Sequence, residues 1–446
     1  MKILLSWLNE YGDFGDPTNA DDVQRVADAL TSLGLEVDSI TTVGETVPGV
    51  VTARVLRLEQ HPDAAKVQRV YVDAGDGQER HVWCGAFNMS EGDIVPLATL
   101  GTTMPNGMTI ERRGILGIDS EGMLCSASEL GLGDDHSGIK VLPLVVPLGR
   151  PYGEALGLTL DVLIDADVTR NRPDCWGYVG IARDLAAKMG VEFRPPSPAL
   201  NVTGDALTAG VEILDGDRCA RFTSTVISGI EVKPSAEWMA RRLTAAGMRP
   251  INNVVDVSNY VMLELNQPNH AYDLDTLGGR GFRIRLARAG EQLTTLDGEV
   301  RTFTSGDLFI CDANDVPIGV GGIMGGLDTE ISDSTTTVAL EMAWFSLVGI
   351  GQTVTRTNLR SEASARFERG VDPYGMPIAI ARFVELLAET CPDLVVHAGA
   401  VDARSGDLPA EHRSASVRIG AVNRVLGTDL TADELPGLLD PIGFTV

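Results

Sequence analysis

Between Val50 and Leu142 the sequence is a series of short β-rich runs, with turn signals and no helical pattern between them. The clearest runs are Val51 to Leu58, Val67 to Asp73 and Ile94 to Thr99. Gly75-Asp76-Gly77 and Pro105-Asn106-Gly107 mark turns. Strands this close in sequence leave no room for helices between them. The stretch therefore predicts a small β-barrel.

Helical patterns flank this stretch on both sides. Asn19 is a suitable N-cap for a helix over 19–34, and Asp174 for a helix that ends at Met189. Pro195-Pro196-Ser197-Pro198 then stiffens the chain, because proline cannot continue a helix. We therefore place a domain boundary at this linker.

Strands and helices alternate from about 205 to 400, which predicts one large α+β domain. One of its helices is expected to have Ser235 as its cap and to stop at Gly247. Because the linker separates this domain from the barrel, we expect it to fold without the barrel. A further unit over 412–446 ends on what resembles an entering strand, so it is expected to be incomplete. The predicted class is α+β multidomain.

The charge of the chain excludes nucleic-acid binding through its bulk surface. The 36 basic and 62 acidic residues give a formal net charge of −26, which repels a polyanion. Such a partner would have to bind locally, and residues 351–370 carry four arginines against two glutamates. No apolar run approaches the ~18 residues of a membrane helix, and acidic residues follow the N-terminus too soon for a secretory signal. We therefore expect a cytoplasmic protein with no membrane partner.

The sequence lacks the motifs of several standard enzyme classes. No lysine follows a glycine, so there is no P-loop, and neither HExxH nor GxSxG occurs. The six cysteines are never closer than 41 positions in the sequence, which excludes CxxC metal knuckles and a dense disulfide framework. We expect reduced, mostly buried thiols and no metal site.

Three stretches of the large domain can carry chemistry. In the first, a helix ends before Pro268 and places His270 in a loop, where it can orient a water, hold a ribose hydroxyl or make a structural hydrogen bond. Taken alone, His270 is best interpreted as structural. The second is the glycine cluster over 321–326, which forms either a ligand-binding loop or a tight hairpin turn.

The third stretch begins with a predicted strand over 337–344. Its even-numbered residues, from Val338 to Trp344, are assigned to the core face, so Glu341 points the other way between two alanines. A solvated outer face is the usual interpretation of such a glutamate, and the floor of a pocket is the alternative. Ser361 then caps a short helix that stops at Gly370, and its free amides could receive a phosphate or carbonyl oxygen.

Longer motifs span the barrel, the segment that follows it and the large domain. They are His61-Pro62-Asp63-Ala64, Cys84-Gly85-Ala86-Phe87-Asn88, Ser120-Glu121-Gly122-Met123-Leu124-Cys125-Ser126, Thr169-Arg170-Asn171-Arg172-Pro173-Asp174-Cys175, Arg249-Pro250-Ile251-Asn252-Asn253, Gln267-Pro268-Asn269-His270-Ala271-Tyr272-Asp273 and Arg366-Phe367-Glu368-Arg369-Gly370. Together they resemble the N-terminal half of the β subunits of bacterial phenylalanyl-tRNA synthetases. The resemblance extends over the whole chain.

The resemblance implies a domain layout. Residues 1–39 and 151–195 would form a small α/β N-terminal domain with an inserted OB-fold tRNA-binding barrel over 40–150. Residues 205–400 would form the editing domain, and 412–446 an incomplete, winged-helix-like C-terminal unit.

It also implies a site that hydrolyses tyrosine mistakenly esterified to the phenylalanine tRNA. The catalytic residues would be His270, Gly322 and Ser361, and the pocket for the amino acid would add Ser258, Asn259, Glu341 and Ala363. Contacts to tRNA would come from Arg112, Arg113, Arg356 and Arg366. Glu341 would read the phenolic hydroxyl, and His270 would act as a base or, as we favour, hold the ribose. Ser258 and Ser361 stand where threonine is common in the family, and both keep a hydroxyl.

The implied partners are the synthetase α subunit, in an α2β2 assembly, and tRNA(Phe). ATP and Mg²⁺ would serve the complete synthetase on its α subunit, so no cofactor is expected in this chain and it should not aminoacylate alone. The alternatives are a tRNA-binding or interaction module and a free-standing trans-editing factor. Eight basic against thirteen acidic residues over 50–142 weaken the first, and the incomplete last unit weakens the second.

Overall fold

A computed structural model describes residues 1–44, 46–60, 66–115, 118–132, 135–142, 146–405 and 408–446. The motif His61-Pro62-Asp63-Ala64 lies outside the described residues. The chain forms two compact units, one of Met1–Ile40 with Ile164–Val446 and the other of Thr41–Leu163. The finer division into four domains stays a prediction.

Helices and strands are mixed along the chain, which confirms the α+β class. The strands are β1 (Lys2–Leu4), β2 (Glu36–Val43), β3 (Val50–Gln60), β4 (Gln68–Asp73), β5 (Glu79–Cys84), β6 (Ile94–Ala98), β7 (Arg113–Ile115), β8 (Ile118–Ser120), β9 (Met123–Leu124), β10 (Asp161–Asp167), β11 (Gly204–Ala206), β12 (Gly210–Ile213), β13 (Cys219–Ser228), β14 (Asn269–Asp273), β15 (Gly281–Leu286), β16 (Gln292–Thr294), β17 (Val300–Thr302), β18 (Leu308–Asp312), β19 (Pro317–Val320), β20 (Met324–Gly325), β21 (Thr337–Phe345), β22 (Val395–Ala398) and β23 (Val401–Arg404). The helices are α1 (Leu5–Leu8), α2 (Ala20–Ser32), α3 (Tyr152–Ala155), α4 (Tyr178–Met189), α5 (Glu237–Ala245), α6 (Asn253–Leu265), α7 (Leu347–Thr357), α8 (Glu362–Phe367), α9 (Met376–Ala388), α10 (Ile419–Leu426) and α11 (Leu435–Leu439).

The unit of residues 41–163 contains the predicted β-rich stretch. Its main sheet has the strand order β5-β4-β3-β6-β9, and β7 pairs with β8 as a hairpin. The three predicted runs correspond to β3, β4 and β6, whereas β5 was not predicted. Alternate residues of these antiparallel strands fill two apolar clusters, as expected of a small curved sheet with a filled interior. The OB-fold assignment stays a prediction.

Local caps explain some helix starts in the larger unit but not others. Asn19 Oδ1 accepts hydrogen bonds from Asp21 N at 2.9 Å and Asp22 N at 3.4 Å, which confirms the predicted start of α2. The capping role of Asp174 is wrong, because its carboxylate pairs with Arg172 and Arg183 and α4 begins after Gly177. The Ser235 cap is also wrong, because its hydroxyl donates to Asp256 Oδ2 at 2.5 Å and α5 begins at Glu237.

The first residues of the chain pack against helices of the same unit. The Trp7 ring stacks between Tyr178, at a centroid distance of 3.9 Å, and Tyr260, at 4.2 Å. Tyr11 Oη donates to Glu264 Oε1 at 2.6 Å, and Arg382 Nε contacts Glu264 Oε2 at 2.9 Å. The N-terminal segment is thereby joined to α4, α6 and α9.

Two larger sheets lie in the rest of this unit, besides the β16-β17 pair. One has the order β11-β22-β13-β21-β14, with β23 also paired to β13, and the other has the order β12-β15-β18-β19-β20. A large apolar cluster, here called the main core cluster, combines residues of both sheets, including Phe222, Ala339 and Ala343 from the first and Phe282 and Phe309 from the second. The core of the unit therefore contains one face of β13, β21 and β14.

Residues 408–446 form α10, α11 and short 3₁₀ turns. The strand expected over 443–446 is wrong, because these residues are irregular. Within the described residues, no helix has the length and apolar character needed to cross a bilayer.

Candidate functional site

Glu341 lies at the centre of β21, between two strands that supply polar neighbours. The antiparallel register places His270 of β14 opposite Glu341 on one side and Ser224 of β13 opposite it on the other. Directly opposite residues of antiparallel strands share a face. The register therefore places these three side chains side by side on the face that carries the main core cluster.

The expected solvated position of Glu341 is wrong. Its side chain shares a face with Ala339 and Ala343, which belong to the main core cluster, and its exposed fraction is only 6%. Val338, Leu340 and Met342, on the other face, are fully buried as well. Both faces of β21 are covered, so Glu341 occupies a buried site and not an outer surface.

The expected loop position of His270 is also wrong. His270 lies in β14, an edge strand paired with β21 over Asn269–Asp273. The local signal of Pro268 correctly ends α6, but the strand that follows depends on pairing with residues some seventy positions away. Its direct pairing with β21 fixes His270 beside Glu341.

Glu341 already accepts a hydrogen bond from a phenol. Tyr272 Oη donates to Glu341 Oε2 at 2.9 Å, and the Tyr272 ring is buried. Burial raises the pKa of Glu341 to about 8, although the Tyr272 hydrogen bond opposes this effect. Burial, together with the nearby Glu341 carboxylate, raises the pKa of Tyr272 well above its usual range. Tyr272 therefore remains a phenol and a donor at neutral pH.

His270 is neutral at physiological pH. Burial lowers the pKa of its imidazole to about 4, because the charged form would lose its hydration. Its ring meets Tyr272 edge to face at a centroid distance of 4.4 Å, and its Nε2 has no hydrogen-bond partner among the described residues. A neutral histidine with a free ring nitrogen can donate to or accept from a hydroxyl group of a ligand.

Glycines of the neighbouring sheet leave space beside these side chains. A Cβ atom at Gly325 would lie 3.0 Å from His270 Cε1, and one at Gly319 would lie 3.5 Å from Tyr272 Oη. Gly322 is different, because it lies in the turn between β19 and β20 with φ +69°. A Cβ there would lie within 3.0 Å of Ile350, Phe345 and Phe367, so Gly322 faces the apolar core. Of the two interpretations of the glycine cluster, the tight hairpin turn agrees with the position of Gly322.

Ser361 is joined to this glycine hairpin. Its Oγ donates to the Ile323 carbonyl at 2.6 Å and accepts from Ser364 N at 3.0 Å, which caps α8. Ala363, on the first turn of α8, packs against the main core cluster. The hydroxyl of Ser361 therefore positions α8 beside the hairpin, and α8 itself has only six residues.

Ser258 and Asn259 lie on α6. The Ser258 hydroxyl donates to Asn269 Oδ1, and Asn269 Nδ2 donates back to the Ser258 carbonyl at 3.1 Å. In the described part of the chain, no hydrogen bond or ion pair joins Ser258, Asn259 or Ala363 to Glu341. Ser258 reaches the His270 end of the site through Asn269, the neighbour of His270 in β14.

The arginines predicted to bind tRNA differ in exposure. Arg113 is exposed, Arg112 is half-exposed and contacts Glu121 at 3.2 Å, and Arg356 pairs with Asp307. Arg366 is only 1% exposed, and its Nη1 donates to the Glu362 carbonyl and carboxylate. A guanidinium buried in this way cannot reach a phosphate without moving, so the predicted contact of Arg366 with tRNA is wrong.

One cluster has side chains of the kind that bind metals. Ligand atoms of Asp174, Cys175 and Asp184 lie within 4.8 Å of one another. Arg172 and Arg183 pair with both carboxylates, and burial raises the pKa of Cys175 to about 12. A protonated thiol and carboxylates already neutralised by arginine do not suit a metal ion. The six cysteines are all buried and free, as predicted.

Four residues of the site were not predicted from the sequence. They are Tyr272, Ser224 and the two glycines that leave space beside the site, Gly319 and Gly325. His270 and Tyr272 have the two-residue spacing of a strand, which would have placed both on the Glu341 face. Ser224 lies in a β-rich run, where nothing local distinguishes its hydroxyl from that of Thr223 or Thr225.

Two protein families match separate parts of the chain. Residues 218–392 match the B3/4 domain family, and residues 50–151 match a tRNA binding domain family. The B3/4 match contains Ser224, His270, Tyr272 and Glu341. The tRNA binding match contains Arg112 and Arg113.

Curated relatives match the chain from end to end. The phenylalanine–tRNA ligase β subunit of Anaeromyxobacter dehalogenans is 43% identical over 447 residues, which is 100% of this chain and 54% of the relative. That of Geobacter metallireducens is 41% identical over 448 residues, 100% of this chain and 55% of the relative. The chain thus spans about half the length of these relatives. A solved N-terminal fragment of the phenylalanyl-tRNA synthetase β subunit from Pyrococcus horikoshii is 14% identical, with a match that covers 63% of this chain and 77% of that chain and a TM-score of 0.30.

Proposed function

The chain belongs to the family of phenylalanine–tRNA ligase β subunits, and we propose that its B3/4 domain hydrolyses tyrosine esterified by mistake to tRNA(Phe). The observation that carries this proposal is the hydrogen bond from Tyr272 to the buried carboxyl of Glu341. It demonstrates a buried acceptor suited to a phenolic hydroxyl, the group by which tyrosine differs from phenylalanine.

A second site for tyrosine has a physical reason. A pocket that binds phenylalanine cannot strongly reject an analogue that only adds a hydroxyl, so discrimination by binding reaches about a hundredfold. A pocket that hydrogen-bonds this hydroxyl discriminates in the opposite sense. Glu341 can do so in either state, because a carboxylate accepts and a neutral carboxyl also donates.

The proposed reaction is attack of water on the ester carbonyl, which yields tyrosine and the free 3′-terminal hydroxyl of the tRNA. With a pKa of about 4, His270 is a weak base at neutral pH, and its free Nε2 suits a hydrogen bond to the terminal ribose. Ser361 and Gly322 support the hairpin beside the site. Ser258, which contacts Asn269, and its neighbour Asn259 are proposed to line the ribose end.

The tRNA binding family match over 50–151 supports a contact between the barrel and tRNA. Arg112 and Arg113 are the proposed contacts there, and Arg356 is proposed near the B3/4 site. We propose the α subunit as partner in the complete ligase, where ATP and Mg²⁺ serve aminoacylation. The arginine-paired carboxylates of Asp174 and Asp184 do not suit Mg²⁺, so no such role is proposed for them.

The test is Glu341→Ala, assayed as deacylation of tyrosyl-tRNA(Phe) and phenylalanyl-tRNA(Phe) by the chain in complex with the α subunit. Loss of a hydrogen bond to a buried carboxyl, worth about 1 to 3 kcal/mol, should lower the tyrosyl preference about five- to 150-fold. Hydrolysis itself should persist. Equal loss of both activities with unchanged tRNA binding would show that Glu341 is catalytic, and absence of tyrosyl hydrolysis in the unaltered protein would reject the proposed function.

A further inference from the structure

Three polar side chains form a row across β14, β21 and β13. His270, Glu341 and Ser224 are opposite one another in register, with Cβ atoms about 5 Å apart from strand to strand. Their exposure decreases along the row, from half-buried His270 through Glu341 at 6% to Ser224 at 1%. The row therefore runs from a half-buried end at His270, whose Nε2 is itself buried, to a closed end at Ser224.

The Ser224 hydroxyl has no hydrogen-bond partner in the described part of the chain, although it is fully buried. It lies between Phe222 and Val226, which belong to the main core cluster on the same face. Its neighbour Thr223, on the other face, donates to the Met342 carbonyl at 2.9 Å. An unpaired buried hydroxyl costs free energy, so alanine would suit this position better if Ser224 only filled space.

From this placement we infer that Ser224 is a second specificity residue, whose hydroxyl donates to the phenolic oxygen of the bound tyrosine while Glu341 binds the phenolic proton. The inference rests on the proposed function. A phenol has one donor and an acceptor oxygen, so a pocket that satisfies both discriminates more strongly against phenylalanine than one that satisfies the donor alone.

The order of exposure supports this orientation. A tyrosyl ester that enters with its side chain first brings its phenol to the Ser224 end and leaves its ribose at His270. Tyr272 Oη donates to Oε2 of Glu341 and holds the carboxyl in place. Among the described residues no hydrogen bond reaches Oε1, which is left for the substrate. Tyr272 is thus a positioning residue for Glu341.

The experiment is Ser224→Ala, with the two deacylation rates measured in the complex with the α subunit. Loss of one neutral hydrogen bond should lower the ratio of tyrosyl to phenylalanyl hydrolysis about three- to tenfold, with the phenylalanyl rate unchanged. Thermal stability should not fall, because no hydrogen bond of the free protein is removed. Thr225→Val is the matched control, since Thr225 is a buried hydroxyl residue that faces the other side of the same strand.

A double-mutant cycle with Glu341→Ala adds a second readout, because two residues that bind one hydroxyl should give non-additive effects on the ratio. An unchanged ratio in Ser224→Ala, with active unaltered protein, overturns the inference and leaves the proposed function intact. A fall in both rates together with lower stability would assign Ser224 a structural role and also overturns it. Inactivity of the unaltered protein toward the tyrosyl ester overturns both.

Discussion

Replacement of Glu341 by glutamine should stabilise the protein, and more so as the pH rises. Burial raises the pKa of Glu341 from 4.5 to about 8, so the folded protein holds a proton between these values that the unfolded chain releases. The free energy of unfolding of the unaltered protein therefore contains a contribution that is fully present below pH 4.5 and is lost as the pH rises to about 8. Glu341→Gln keeps an acceptor for Tyr272 and has no proton to lose.

The magnitude follows from the two pKa values. At 1.36 kcal/mol per pKa unit, the difference between 4.5 and about 8 corresponds to about 5 kcal/mol. The stability of Glu341→Gln relative to the unaltered protein should therefore change little below pH 4.5. It should then rise by up to about 1.4 kcal/mol per pH unit and level off above pH 8. Because Glu341 is only 6% exposed, solvent screening reduces this effect little.

The assay is denaturant unfolding of both proteins from pH 5 to 9, analysed for the transition of the unit that contains β21. Glu192→Gln, at an exposed position, is the control and should change stability by less than about 0.5 kcal/mol at every pH. A stability difference for Glu341→Gln that stays flat over this range, or decreases with pH, would refute the assignment of a buried, protonated carboxyl.

Two further predictions concern His270 and the arginines. Because burial lowers the pKa of His270 to about 4, its neutral ring contributes stability that is present above pH 6.5 and is lost as the pH falls toward 4. His270→Asn should therefore reduce the loss of unfolding free energy over this pH range by about 3 kcal/mol. Unfolding measurements on both proteins test this, and an unchanged loss would contradict it. Because the net charge is −26, tRNA binding through a few arginines should give a shallow dependence of log affinity on log salt; a slope near −10, typical of an extensive basic interface, would disprove local contact.

The sequence correctly predicted the helix ends that depend on contacts between residues close together in the chain. The Asn19 cap depends on amides two and three residues away, and the end of α6 before Pro268 depends on proline geometry, so both were predictable. Asp174 is a capping-type residue like Asn19, yet its carboxylate pairs with Arg172 and Arg183 and caps no helix.

The site depended on pairing over long sequence distances. Glu341 could be assigned to a strand from its alternating neighbours, but its burial depends on the second sheet, which no local pattern reveals. His270 and Ser224 become neighbours of Glu341 only through the register of β14 and β13 with β21. The family resemblance pointed to Glu341 and His270 as site residues. The contact of Tyr272 with Glu341 became evident only from the structure.

The stacking of Trp7 between Tyr178 and Tyr260 determines which segments of this protein must be transferred together in a chimera. Residues 1–40 share an aromatic stack and the Glu264 hydrogen bonds with the large domain, although the barrel sequence separates them along the chain. A graft that transferred 205–400 alone would expose one face of Tyr260 and remove a donor from a fully buried carboxylate. A transferable cassette must therefore carry the N-terminal segment and α4, and the proline linker is a boundary in the sequence but not a safe crossover point for a chimera.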